Sequence, residues 1–252
     1  MSTGSPPSTR TAEIEAMSTL GLMGVIRELA SHYERAARTR IVAAFGPTAI
    51  LTERIKAGET ADVAILTAAA IDELTRDGTL ERGSRVDLAR SVVGVAVRAG
   101  APKPDIGSAE AFIRVLLNAG SVAYSKAGAS GTFFADLIER LGIAKEVNSK
   151  STVIPSGLTG LLAARGEVEI AIQQVSELME VPGVDILGPL PAEFEGVTIF
   201  AGGLFSASPR RQAGLALLRF LSATDITAVY ERKGLEPLGR AEPAAQPGLA
   251  DG

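Results

Sequence analysis

Short apolar runs alternate with amphipathic stretches along most of the chain. The runs Glu13–Met17, Arg40–Phe45 and Asp62–Leu66 have the length and composition of strands. Each is followed by apolar residues at helical spacing. Leu20–Arg35 puts Leu22, Val25, Ile26, Leu29 and Tyr33 on one face, and Ala49–Ala57 and Ala68–Arg76 follow the next two runs. Gly58 and the pair Asp77-Gly78 stop the latter two helices. Strands alternating with helices predict right-handed βαβ units on a mostly parallel sheet.

Ser91–Arg98 is a longer, nearly continuous apolar strand, after which Pro102 and Pro104 break the chain. A second series follows, with helix Ser108–Asn118, strand Ser121–Tyr124, helices Thr132–Leu141 and Gly157–Arg165, and strands Glu169–Ile172 and Val184–Leu187. Gly188-Pro189-Leu190-Pro191 is another break, and strand Val197–Ala201 and helix Arg210–Ser222 then return to the first series. The predicted fold is α/β, with two lobes, each a mostly parallel sheet flanked by helices. Ser91–Arg98 and Val197–Ala201 are the crossing strands. Residues 12–93 plus 199–239 form the first lobe and 94–198 the second, while the Ser/Thr/Pro-rich start (1–11) and the Pro/Ala/Gly-rich end (240–252) read as disordered tails.

Composition narrows the function. The chain has 252 residues, 46% of them hydrophobic, enough for two lobes with real cores. Aromatics are only 4% and Trp is absent, which disfavours a stacking platform for bases or sugars. A formal charge of −4 with no polybasic block argues against nucleic acid and anionic membrane. Cysteine is absent, and the single histidine, His32, excludes a two-His metal site and reads as an exposed helix residue. The first 17 residues lack the apolar core of a signal peptide. The chain as written is therefore expected in the cytoplasm, or in the periplasm if its start is mis-set or trimmed.

The candidate chemistry lies where strands meet helices. In open α/β sheets ligands sit beyond the carboxyl ends of strands. Those junctions are Met17-Ser18-Thr19, Gly46-Pro47-Thr48-Ala49, Thr67-Ala68, Ser125–Gly131, Ser156-Gly157, and Gln173-Gln174 followed by Ser176. Nearly all carry a small hydroxyl or amide beside the free N–H groups of a helix start, a setting that favours negative charge. The site residues expected are Ser18, Thr48 and Thr67 from the first lobe, facing Ser130, Gly131, Leu158 and Gln173 from the second. A bulky residue at Gly131 is expected to block approach to the N–H groups. Lys126, Arg54 and Glu177 are the strong charges near these junctions and read as surface or structural groups, and Tyr124 faces either the cleft or the core. No Walker loop, G-x-S-x-G, H-E-x-x-H or dinucleotide fingerprint is present.

These residues resemble the molybdate-binding-protein type of periplasmic-binding-protein class II fold. The resemblance covers about residues 12–238 and rests on Ala16-Met17-Ser18, Phe45-Gly46-Pro47-Thr48-Ala49-Ile50-Leu51, Lys56-Ala57-Gly58-Glu59-Thr60-Ala61-Asp62-Val63 and Lys233-Gly234-Leu235. It implies two lobes that close on an anion. Pro47-Thr48 stands where molybdate binders carry paired serines, and Gln173 where they carry a tyrosine. Ser84–Ile106 and Gln173–Gly183 are similar to a branch that includes an aconitate isomerase. The reading is a solute-binding-type protein for a small oxyanion or a di- or tricarboxylate. The alternative is a cofactor-independent isomerase of small unsaturated carboxylates, which needs a base to move an allylic proton. No cofactor or metal is expected. The expected partner is a small-molecule anion, with an ABC transporter added if the chain is secreted, and the expected state is a monomer.

Overall fold

The computed structural model describes residues 11–194 and 196–239. Apart from Thr11, the two predicted tails lie outside the described residues. The chain begins with β1 (Ala12–Thr19), α1 (Met23–Ala37), β2 (Thr39–Gly46), α2 (Thr48–Lys56), β3 (Val63–Thr67) and α3 (Ala68–Arg76). β1 lies parallel to both β2 and β3, as the alternating pattern predicts. β4 (Val86–Arg98) is the long strand, beginning earlier than its apolar run.

The second lobe is built from α4 (Ala109–Asn118), β5 (Val122–Ser125), α5 (Ala129–Arg140), α6 (Ala144–Asn148), β6 (Ser151–Ile154), α7 (Gly160–Ala164), β7 (Ile170–Gln174), α8 (Val175–Leu178) and β8 (Val184–Pro189). β5 pairs in parallel with β6 and β7. The chain then returns through β9 (Val197–Leu204), α9 (Arg211–Leu221), α10 (Thr227–Arg232) and the short β10 (Glu236–Pro237).

β4 serves both lobes. Its residues Val86–Val92 pair antiparallel with β9, and from Val93 onward it pairs antiparallel with β7 and β8. The hydrogen-bonded path β2-β1-β3-β9-β4-β7-β5-β6 therefore runs through both sheets. The main chain passes between them within β4 and again just before β9, so the two lobes share a narrow base.

Helices cover both faces of each sheet. In the first lobe, Val25, Ile26 and Leu29 of α1 join Leu217, Leu218 and Tyr230 on one face, while Leu51, Ile55, Ile71 and Leu74 of α2 and α3 cover the other. In the second, Phe112, Leu116, Phe134, Leu137 and Ile138 of α4 and α5 cover one face, and Ala163 and Leu178 of α7 and α8 the other. The apolar stripes read from the sequence thus become the buried layers. Ser108 caps α4, accepting from the Ala111 N–H at 3.2 Å. Among the described residues no single helix is long and apolar enough to cross a membrane.

Candidate functional site

The C-terminal ends of the parallel strands in both lobes face one another, and a cleft lies between them. From the first lobe it is lined by Thr19 at the end of β1, Leu20, Pro47 and Thr48 at the start of α2, and Phe200 of β9. From the second come Ser125, Gly128 and Ala129 at the junction of β5 with α5, Gly157, and Gln173, Gln174 and Glu177 from the junction of β7 with α8. About 10 Å³ remains between them, the room of one water, so the lobes stand closed on each other. A wider hollow of about 920 Å³ lies at the opposite ends of β5 and β7, bordered by Arg98, Arg114 and Glu169. It lies away from every helix start just named.

The walls offer mostly neutral dipoles. Thr48 opens α2 after Pro47, which brings no capping side chain, so the first N–H groups of that helix have no cap partner. The Thr48 hydroxyl is buried without a hydrogen-bond partner. Opposite it, Gly128 leads into α5, again with no side-chain cap. The Ser125 hydroxyl instead accepts from the Gly128 N–H at 3.2 Å. Gln174 is 1% exposed, its NH2 donating to the Thr198 hydroxyl at 2.9 Å and its carbonyl oxygen buried without a partner. Turning that amide over keeps the contact, the hydroxyl now donating, and offers the NH2 group as a free donor.

Gln173 braces the second wall. Its carbonyl oxygen accepts from the Thr159 N–H at 2.7 Å and from the Thr159 hydroxyl at 2.9 Å, and its NH2 donates to the Gly157 carbonyl at 2.8 Å. These bonds tie the turn before α7 to the end of β7. Glu177 sits one turn beyond, 6% exposed, and is the titratable side chain of the lining. Burial pushes its carboxyl up to about 8, against donation from the Gln173 side chain and the Gln174 N–H, which pulls it down. Among the described residues no lysine or arginine lines the cleft.

Of the residues expected from the sequence, Thr48 and Gln173 line the cleft, while Ser18, Thr67, Ser130, Gly131 and Leu158 stand outside its lining. β1 runs on to Thr19, so Ser18 is a fully buried strand residue whose hydroxyl donates to the Thr19 carbonyl at 3.1 Å. Thr67 ends β3, half-buried. α5 begins at Ala129 rather than Thr132, which puts Ser130 and Gly131 inside its first turn, buried. Gly131 answers a packing need: a Cβ there would collide with the Ser125 carbonyl oxygen, because α5 crosses so close to the end of β5. Leu158 is half-buried, and its carbonyl accepts from the Leu161 N–H at 3.2 Å.

Lys126, Arg54, Tyr124 and His32 also lie outside the lining. Lys126 is exposed, and Arg54 pairs with Glu59 on the surface. Tyr124 turns to the core, its ring edge-on to Phe134 and its hydroxyl donating to the Asn148 side chain at 2.7 Å. His32 is exposed and stacked on Phe220.

Also in the lining are Leu20 and Phe200, Thr19 and Gln174 from the named junctions, and Glu177, which the sequence suggested to be a surface or structural charge. Glu177 is the third residue of α8, spaced to reach back to the N–H of Gln174, the residue before that helix, which pulls its carboxyl down. That reach is the carboxylate half of a capping box, and the spacing Gln174-x-x-Glu177 was its signal.

Comparison with known proteins completes the site. Residues 14–236 match the family model described as bacterial extracellular solute-binding protein. An aconitate isomerase from Pseudomonas sp. is 37% identical over 231 residues, covering 89% of this chain and 88% of that one. The periplasmic molybdate-binding protein of Azotobacter vinelandii superposes with a TM-score of 0.75 at 15% identity, covering 88% of this chain and 98% of that one. A periplasmic thiamin-binding protein gives 0.74 at 11% identity, over 96% and 89%. At such identities these two likenesses concern the fold alone. Their ligands differ in kind, so the chemistry of the cleft has to choose.

Proposed function

Since this chain belongs to the bacterial extracellular solute-binding protein family, we propose that it closes its lobes on a small anion, an oxyanion or a di- or tricarboxylate. The observation that carries this reading is the buried, unpartnered Thr48 hydroxyl at the uncapped start of α2. A dehydrated anion needs directed donors in place of its lost water, and this corner supplies them from side chain and backbone together. Donors also converge from the second lobe, at the uncapped start of α5. The cleft is too small for such a ligand as it stands, so the lobes must part to admit it.

The test is calorimetric titration with molybdate, tungstate, sulfate and the two aconitate isomers. A hydrogen bond to a charged group is worth roughly 1.5–3 kcal/mol. Thr48→Ala is therefore expected to weaken the bound anion by about one to two decades, with folding intact. An unchanged affinity refutes the assignment of that corner.

Glu177 favours a second reading, an isomerase of small unsaturated carboxylates, which the 37% identity to an aconitate isomerase supports. An ionised Glu177 would take a proton from a carbon beside the double bond. As the double bond shifts, the proton returns at the far end of the allylic system, with no net gain or loss. Ultraviolet absorbance of cis- and trans-aconitate mixed with the protein separates the readings. Catalytic equilibration marks the isomerase, and stoichiometric binding without turnover marks the binder.

A further inference from the structure

We propose that the anion binds together with one proton, held by Glu177, whose carboxylic acid O–H donates to a ligand oxygen. This deepens the solute-binding reading and rests on it. Glu177 lies on the cleft wall, 6% exposed, and the groups that pull its carboxyl down are the Gln173 side chain and the Gln174 N–H. Both are neutral donors, and among the described residues no cation of the lining stands ready to neutralise a carboxylate. Closing the lobes on an anion would set two like charges side by side with water expelled. A carboxylic acid removes that repulsion and adds a donor aimed at the ligand, joining the unpartnered Thr48 hydroxyl.

The charged groups on neighbouring elements are otherwise engaged or distant in effect. β7 and the turn Leu20–Leu22 contain none. On α1, Glu28 pairs with Arg232 and Lys233, and Arg27 lies over the Phe45 ring. Glu180, just past α8, pairs with Lys233. On β8, Asp185 pairs with Lys103, and on β4 Asp87 pairs with Arg85. Also on β4, Arg90 pairs with Glu236, while Arg98 ends the strand at the outer hollow. None of these charges is among the causes acting on Glu177, where burial dominates. With its carboxyl raised to about 8, the acid form already prevails at neutral pH, and a bound anion raises it further.

The experiment is titration calorimetry of the full chain with molybdate, sulfate and trans-aconitate, all fully ionised from about pH 6.5 upward. Each is run in two buffers of different ionisation enthalpy, which reads the protons taken up. Uptake should be near zero at about pH 6.5 and approach one proton per ligand at about pH 9.5, with affinity falling up to about tenfold per unit above pH 8. Glu177→Gln keeps a donor in place. It should bind with no proton uptake and a flat pH profile. Ligand binding by the parent without proton uptake at about pH 9.5 overturns the proposal and leaves the solute-binding reading standing, whether or not the variant folds. Failure of every probe to bind at any pH removes that reading and the proposal with it. Turnover of trans-aconitate that rises with pH through about 8 assigns the ionised form instead and also overturns the proposal.

Discussion

Replacing Glu177 by glutamine should change how stability depends on pH, with no ligand present. The folded-state carboxyl is raised from 4.5 to about 8 because it is buried. Between those values the folded protein holds a proton that the unfolded chain has released. Stability therefore falls as pH rises, by about 1.4 kcal/mol per unit, and levels off above the folded value. Integrated from about pH 5 to pH 8, the loss is roughly 4 kcal/mol, a large share of a typical domain's stability. Other shifted groups act outside this window. The carboxyls of Glu28, Glu59, Asp77, Glu81 and Asp185 are lowered by their donors, so their contribution is lost only as pH falls below their ordinary range. Tyr33, Tyr124 and Tyr230 are raised and matter only in strong alkali. Urea denaturation followed by circular dichroism, across about pH 5 to 9.5, measures the slope directly. Glu177→Gln should match the parent at the acid end and exceed it by several kcal/mol at the alkaline end. Parallel profiles for parent and variant would show that the carboxyl is hydrated, and the description of the cleft as closed over it would be wrong.

Gly131→Ala should destabilise by about 3 kcal/mol or more, read as a fall in melting temperature, because neither the Ser125 carbonyl nor α5 can move aside without unpicking β5. A near-native melting temperature would refute the close crossing. Lys233 of the first lobe bonds Glu180 of the second at 2.9 Å, and their side chains are only 26% and 12% exposed. A double-mutant cycle with Lys233→Met and Glu180→Gln should return a coupling of about 1 kcal/mol that weakens in high salt. Zero coupling at low salt would mean that this ion pair does not help hold the lobes together.

How much of this was legible depends on where each residue's surroundings come from. The βα alternation was readable because each strand and helix buries its own periodic face, as α1 and α5 do. β6 was not readable: it is an edge strand with a half-exposed pattern, so no apolar run announces it. α6 and α8, of 5 and 4 residues, are too short to show a helical period. The start of α5 was placed late because Gly128-Ala129-Ser130-Gly131 reads as a loop. In the fold those small residues are what allow the helix to begin hard against β5.

The same division runs through the site. Thr48 and Gln173 were legible because each sits at the carboxyl end of a predicted strand, where topology alone puts the cleft. Glu177 was passed over because a lone glutamate beside a short helix is ordinarily solvated. Its reach to the Gln174 N–H was local and could have been read. Its burial was not local: the turn Leu20–Leu22 and α1, from the far end of the chain, pack on α8. A charged residue's pKa is set by what covers it, and here part of the cover comes from the other lobe. The group with the most perturbed chemistry in the cleft was therefore also the one a linear reading was least able to see. Opening the lobes should return Glu177 to water, and its proton affinity should fall toward that of an ordinary carboxylate.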